Sequence, residues 1–93
     1  MTIENIRDSL SPFVKQYSIK KMILFGSRAE GTNTSDSDVD LIIEFGVPVS
    51  LITLSQLQID MEAALGVEVD IVHGPIKEDD ILEIGREVVL YAA

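Results

Sequence analysis

Three aspartates interrupt the apolar segments of this 93-residue chain. Asp38 and Asp40 open the apolar run 38–45, and Asp70 lies inside the run 67–72, where a carboxylate is costly unless it is paired or bound to a ligand. Because side chains alternate across a strand, Asp38 and Asp40 would share one face. Asp70 would join them if the two strands were neighbours.

Clustered carboxylates repel one another, and bound cations relieve that repulsion. Mg²⁺ prefers a few carboxylates together with water and substrate phosphates. The spacing therefore predicts a metal site at Asp38, Asp40 and Asp70, in which one acid could act as a general base on an incoming hydroxyl. A solvated acidic turn is the simpler interpretation of Asp38 and Asp40 taken alone.

A glycine and a serine follow the apolar run that ends at Phe25. Gly26 would let the backbone turn tightly and approach a phosphate, and the N–H groups that open the next helix attract anions. Ser27 adds a hydroxyl donor, and Arg28 could reach a phosphate, although exposure to solvent is the default for an arginine. The pair predicts phosphate binding, with an ordinary strand-to-helix turn as the alternative.

The residues at the required positions exclude three better-known ligand-binding motifs. A P-loop needs a lysine after its second glycine, and here Thr32 follows Gly31. An EF-hand loop that began at Asp36 would need a glycine where Leu41 stands. A dinucleotide-binding fingerprint lacks its third glycine in register.

The apolar periodicity predicts an alternation of helices and strands in the order αβαβαβα. The predicted elements are a helix over 3–16, a strand over 19–25, a turn with one helical turn over 26–31, a loop over 32–37, a strand over 38–45, a helix over 51–65 capped by Ser50 and Gly66, a strand over 67–72, a helix over 78–87 and a possible short strand over 88–91. Pro12 is expected to kink or break the first helix near Ser11. The order predicts an α/β fold, a single domain over 1–93 with helices packed on a small sheet.

The composition bounds the class of protein and its partners. The net charge of −9 repels phosphate backbones and disfavours stable nucleic-acid binding, whereas a basic protein partner would suit it. Cysteine is absent, which excludes thiolate metal sites and thiol nucleophiles. Without an apolar stretch long enough for a membrane span or a signal peptide, the cytoplasm is the expected location. Ile52 and Ile59 widen the apolar side of the helix over 51–65, which suggests a surface covered by a partner or a second copy.

The spacing of these motifs resembles a known signature. Gly26-Ser27, ten intervening residues and Asp38-Val39-Asp40 resemble the DNA polymerase β-like nucleotidyltransferase superfamily. Asp36 would leave only eight residues between, so the matching pair is Asp38 with Asp40, and Asp70 matches the third acid. The resemblance to the minimal nucleotidyltransferase branch rests on the fuller runs Phe25-Gly26-Ser27-Arg28-Ala29 and Ser37-Asp38-Val39-Asp40-Leu41.

The resemblance implies a mixed-sheet nucleotidyltransferase core that uses ATP or another nucleoside triphosphate with Mg²⁺, two ions being expected. It implies that Gly26 and Ser27 hold the triphosphate, that Asp38 and Asp40 hold the metals, and that Asp70 completes the site and deprotonates the acceptor. Proteins of this branch are commonly antitoxins that transfer AMP to a HEPN-domain ribonuclease toxin. The branch frequently has a basic residue where Glu30 stands, so the basis for an extra phosphate contact is missing there.

Two other functions stay open at this point. The acidic charge and the apolar helix would also suit a non-catalytic module that neutralises a basic partner protein by stoichiometric contact. A nucleotidyltransferase that modifies a small molecule is less well supported, because such an enzyme usually needs an added substrate domain.

Overall fold

The computed structural model describes residues 1–75 and 86–93. In chain order the elements are α1 (Ile3–Gln16), β1 (Ile19–Phe25), α2 (Ser27–Glu30), β2 (Val39–Phe45), α3 (Leu51–Leu65), β3 (Val69–His73) and β4 (Val88–Ala92). The bounds predicted for β1 and α3 are confirmed, as is a strand near the end of the chain. β2 starts one residue later than predicted and β3 two residues later. The helix predicted over 78–87 lies largely outside the described residues.

The four strands form one mixed sheet in the order β3-β2-β1-β4. β1 pairs antiparallel with both β2 and β4, whereas β2 and β3 run parallel and are joined through α3. The register pairs Phe25 with Asp40 across β1 and β2, and Asp40 with Asp70 across β2 and β3. The predicted small mixed sheet with packed helices is confirmed, and its topology brings distant polar residues to one place.

The core lies between the sheet and its helices. Val39, Leu41 and Ile43 alternate along β2 and are completely buried in this core. From the helices, α1 contributes Ile6 and Leu10 to the same cluster, and α3 contributes Leu57 and Met61. Burying these side chains contributes roughly 1.5–3 kcal/mol each, so the alternation specifies the register of β2 strongly. The carboxylates of β2 are therefore held on the opposite face.

α1 runs unbroken through Pro12, so of the kink or break predicted near Ser11 the break is wrong. Proline has no N–H to donate to the carbonyl four residues earlier, which here belongs to Asp8. The Ser11 hydroxyl donates to that Asp8 oxygen at 3.0 Å, which replaces the missing backbone bond. Thr2 caps the start of the helix in a reciprocal pair of hydrogen bonds with Asn5.

α3 begins and ends at the predicted caps. The Ser50 hydroxyl accepts from the Thr53 N–H at 3.1 Å, and Gly66 ends the helix in the left-handed conformation at φ 74°. The outer side of the helix is apolar and exposed, with Ile52 83% and Ile59 59% accessible. No helix in the described ranges is long and apolar enough to cross a membrane.

Candidate active site

The turn after β1 places backbone directly against a carboxylate. Gly26 adopts φ 78° and ψ −158°, a region that is essentially restricted to glycine. A Cβ added at Gly26 would overlap Oδ2 of Asp40 and stand 3.2 Å from its Cγ. Gly26 is therefore needed both for its conformation and for the close approach of the turn to Asp40. The predicted tight turn is confirmed, and the short helix α2 follows it from Ser27.

Asp40 and Asp70 lie side by side on the parallel strands β2 and β3. The pKa of the Asp40 carboxyl is raised, chiefly by burial and then by the negative charges of Asp70 and Asp38 and a hydrogen bond with Asp70. The strand register places Asp70 opposite Asp40, and Asp38 affects the pKa of Asp40 less than Asp70 does. The prediction that Asp70 would reach the acids of β2 is thus confirmed in space, whereas its catalytic role stays a prediction.

Asp38 stands one residue before β2, further from this pair. It lines an open cavity of about 790 Å³. The residues around that cavity are Asp36, Asp38, Glu62, Gly66, Val67 and Glu68. Within the described part of the chain, no three His, Cys, Asp or Glu side chains converge tightly enough to hold one metal ion by themselves. The predicted three-acid cluster is therefore a close pair, Asp40 with Asp70, and a third acid nearby.

These carboxylates fit Mg²⁺ rather than a metal that is enclosed entirely by protein. Mg²⁺ is usually held by one or two carboxylates, with water and substrate phosphates completing its coordination. The pKa of Asp40 is raised by burial first and by repulsion from Asp70 and Asp38 second, and a divalent cation would relieve that repulsion. The turn at Gly26, adjacent to Asp40, is where a phosphate could meet such an ion.

Arg28 occupies a position that differs from the default expectation for an arginine. Its side chain is only 5% exposed, so the expectation of solvent exposure is wrong. Nε and Nη2 donate to the carbonyl oxygen of Ser37 at 3.1 and 2.7 Å, and Nη2 also donates to that of Ser35 at 3.4 Å. Direct phosphate binding by Arg28 stays a prediction. The acceptors are backbone atoms, so no sequence pattern signals this contact.

Two polar residues of α3, not singled out from the sequence, hold the strand that carries Asp70. Gln58 donates through Nε2 to the Val69 carbonyl at 2.9 Å, and Glu62 accepts from the Val69 N–H at 3.0 Å. β3 is an edge strand, and these side chains pair with its outer backbone groups as a further strand would. Val69 is fixed from both sides, and Asp70 is the next residue along.

Comparison with known proteins accords with this geometry. A family model described as a nucleotidyltransferase domain matches residues 3–89. Protein adenylyltransferase MntA of Thermococcus cleftensis is 32% identical to this chain, over 96% of the chain and 95% of the relative.

Two solved structures share the fold at low sequence identity. A toxin–antitoxin with AMP-PNP superposes with a TM-score of 0.77 at 19% identity, over 94% of this chain and 73% of that one. A tri-AMPylated Shewanella oneidensis HEPN toxin in complex with an MNT antitoxin gives 0.73 at 14% identity, over 99% of this chain and 74% of that one. The family match and the relative, on a fold that these structures share, identify the chain as a member of the nucleotidyltransferase domain family, in its branch of minimal nucleotidyltransferases that are named protein adenylyltransferases.

Proposed function

We propose that this protein transfers AMP from ATP to a hydroxyl of a partner protein, and that the partner is a HEPN-domain ribonuclease toxin which it silences as an antitoxin. The observation that carries the proposal is the contact between the glycine turn and the carboxylate pair. Gly26 lies against Asp40, and Asp40 lies against Asp70, so a phosphate-binding turn and metal-binding acids share one edge of the sheet. This is the arrangement that nucleotidyl transfer needs.

Each residue of the site has a separate role in the proposed reaction. The backbone at Gly26 and the hydroxyl of Ser27 hold the triphosphate, while Asp38 and Asp40, completed by Asp70, bind the metal ions. Mg²⁺, when bound, supplies charge neutralisation on the phosphates. The acceptor oxygen forms a bond to the α-phosphorus, and the bond from that phosphorus to the bridging oxygen of pyrophosphate breaks. Asp70, which is exposed at the end of this row, takes the proton of the acceptor hydroxyl.

Four observations support a protein as the acceptor, two from similar proteins and two from this chain. The relative from Thermococcus cleftensis is named a protein adenylyltransferase, and the Shewanella oneidensis complex contains an AMPylated HEPN toxin. The net charge of −9 suits a basic partner. The open cavity beside Asp38 leaves room for a polypeptide segment to approach.

The test is transfer of label from [α-³²P]ATP to the protein encoded by the adjacent gene, in the presence of Mg²⁺. We expect one labelled product and loss of ribonuclease activity. The matched control is a variant in which Asp38 and Asp40 are replaced by asparagine, which keeps the shape of the site and removes its charge. No label on the partner, or equal labelling by this variant, would contradict the proposal.

A second candidate is neutralisation by contact alone. It is favoured by the exposed apolar side of α3, where Leu51 is 82% and Ile52 83% accessible. Such a module would still silence its partner after Asp38, Asp40 and Asp70 are all replaced by asparagine. Inhibition of the ribonuclease by this triple variant at one-to-one stoichiometry, without ATP, would favour contact over catalysis.

A further inference from the structure

Arg28 is the one charged side chain that is buried within the described residues. A buried charge is costly unless hydrogen bonds satisfy it, so its position must be fixed by its partners. Those partners are the carbonyl oxygens of Ser37 and Ser35, which are uncharged and belong to the loop between α2 and β2. The guanidinium of Arg28 therefore holds the loop by hydrogen bonds to its backbone.

The hydrogen bonds from Arg28 to the loop lie next to Asp38 and fix the backbone that precedes it. The Ser37 carbonyl belongs to the peptide unit whose nitrogen is that of Asp38. The same loop is closed on itself, because the Ser37 hydroxyl accepts from the Thr34 N–H at 2.8 Å and the Ser37 N–H donates to the Thr34 carbonyl at 3.2 Å. Arg28 ties this closed turn to α2, immediately after the glycine turn.

We propose that Arg28 is a positioning residue for nucleotidyl transfer: it holds the peptide at Ser37, and through it Asp38 and Asp40, in register with Gly26 and Ser27. This inference rests on the proposed function. An arginine that grips a phosphate presents its planar fork to the ligand. Here Nε and Nη2 already donate to carbonyl oxygens at 2.7 to 3.4 Å, so this edge of the guanidinium is occupied by the protein itself.

The substitution that separates the two roles is Arg28→Lys. Lysine keeps the positive charge but cannot form the forked pair of hydrogen bonds. If Arg28 positions the carboxylates, kcat falls about 100-fold, as for a misplacement of about 1 Å, while KM for ATP is unchanged. If Arg28 binds phosphate, KM for ATP rises and kcat is retained, which would overturn the proposal. Arg7→Lys, on the exposed side of α1, is the matched control and should change neither constant.

A second readout follows the loop without any reaction. The Val39 N–H donates to the Glu68 carbonyl at 2.9 Å, and this bond depends on where the loop enters β2. In Arg28→Lys we expect faster hydrogen exchange at the amides of Ser37 and Val39, with the amides of β1 unchanged. Unchanged exchange at Ser37 and Val39 would overturn the proposal, even if the variant is less active.

The wild-type protein offers a test that does not depend on a variant folding. The Nε–H resonance of Arg28 should exchange slowly with water and should not shift when AMP-PNP and Mg²⁺ are added, because its acceptors are carbonyls of the loop. A large shift on nucleotide addition would identify a phosphate contact and overturn the proposal. If no acceptor protein is labelled by the wild type, the proposed function fails, yet these NMR measurements still decide whether Arg28 holds the loop.

Discussion

Replacing Gly26 by alanine should separate the stability of this protein from its activity. The substitution adds one methyl group at φ 78° and ψ −158°, where non-glycine residues are strained by about 1–3 kcal/mol. The methyl group would also overlap Oδ2 of Asp40. The atom it meets is the end of a flexible side chain, so the carboxylate turns away rather than the sheet opening.

The two effects have different magnitudes and different readouts. For a domain of this size, about 1–3 kcal/mol lowers the melting temperature by roughly 5–20 °C. Displacing the Asp40 carboxylate by about 1 Å is expected to reduce the rate of transfer about 100-fold. The loss of activity should therefore persist at temperatures well below the melting point, where the variant is folded.

Gly31→Ala is the matched control. Gly31 also has a positive φ, 79°, but within the described residues nothing lies within 4 Å of a Cβ added there. We expect a loss of about 1–2 kcal/mol from the left-handed backbone alone and unchanged transfer. Thermal unfolding and labelling of the partner, measured on both variants, provide the comparison. If folded Gly26→Ala transfers AMP at the wild-type rate, the argument that Gly26 makes room for the Asp40 carboxylate is refuted.

Three further results are expected. Asp70→Asn should abolish transfer yet raise the melting temperature of the metal-free protein, because the substitution removes a charge that raises the pKa of Asp40. A raised carboxyl pKa lowers the stability of the folded protein only as pH rises through that pKa. The increase in melting temperature should therefore appear at neutral pH and vanish in acid. A lower melting temperature at pH 7 would contradict this reasoning. Tyr17→Phe removes the 2.6 Å hydrogen bond to Asp60, which raises the pKa of Tyr17 and lowers that of Asp60. The loss of stability in Tyr17→Phe, measured from melting curves, should be largest between about pH 4 and 10. It should disappear as pH falls through the lowered pKa of Asp60 or rises through the raised pKa of Tyr17. Ile52→Ser should leave the melting temperature unchanged, since the side chain is 83% exposed, and weaken partner binding in calorimetry if α3 is the contact surface; equal affinity would place the partner elsewhere.

Local patterns were sufficient for much of the fold. β1 and α3 could be bounded because an apolar run, a serine N-cap and a glycine C-cap act over a few residues. Of the kink or break predicted near Ser11, the break is wrong, because the Ser11 hydroxyl donates to the carbonyl that Pro12 leaves without a backbone donor. The helix predicted over 78–87 lies largely outside the described residues.

The sequence by itself determined that Asp40 lies on the strand face opposite the core, because the period of two in β2 and its buried apolar residues allow no other register. The expectation that Asp38 shares that face was not met, since β2 begins only at Val39. Only the tertiary structure decided that Asp70 stands beside Asp40, since this depends on β3 pairing parallel with β2. Only the tertiary structure also decided the partners of Arg28 and Gln58, because both side chains donate to backbone carbonyls of other segments. The sequence of side chains specifies which face of a strand or helix is apolar, whereas a backbone acceptor comes within reach of a side chain only once the chain has folded.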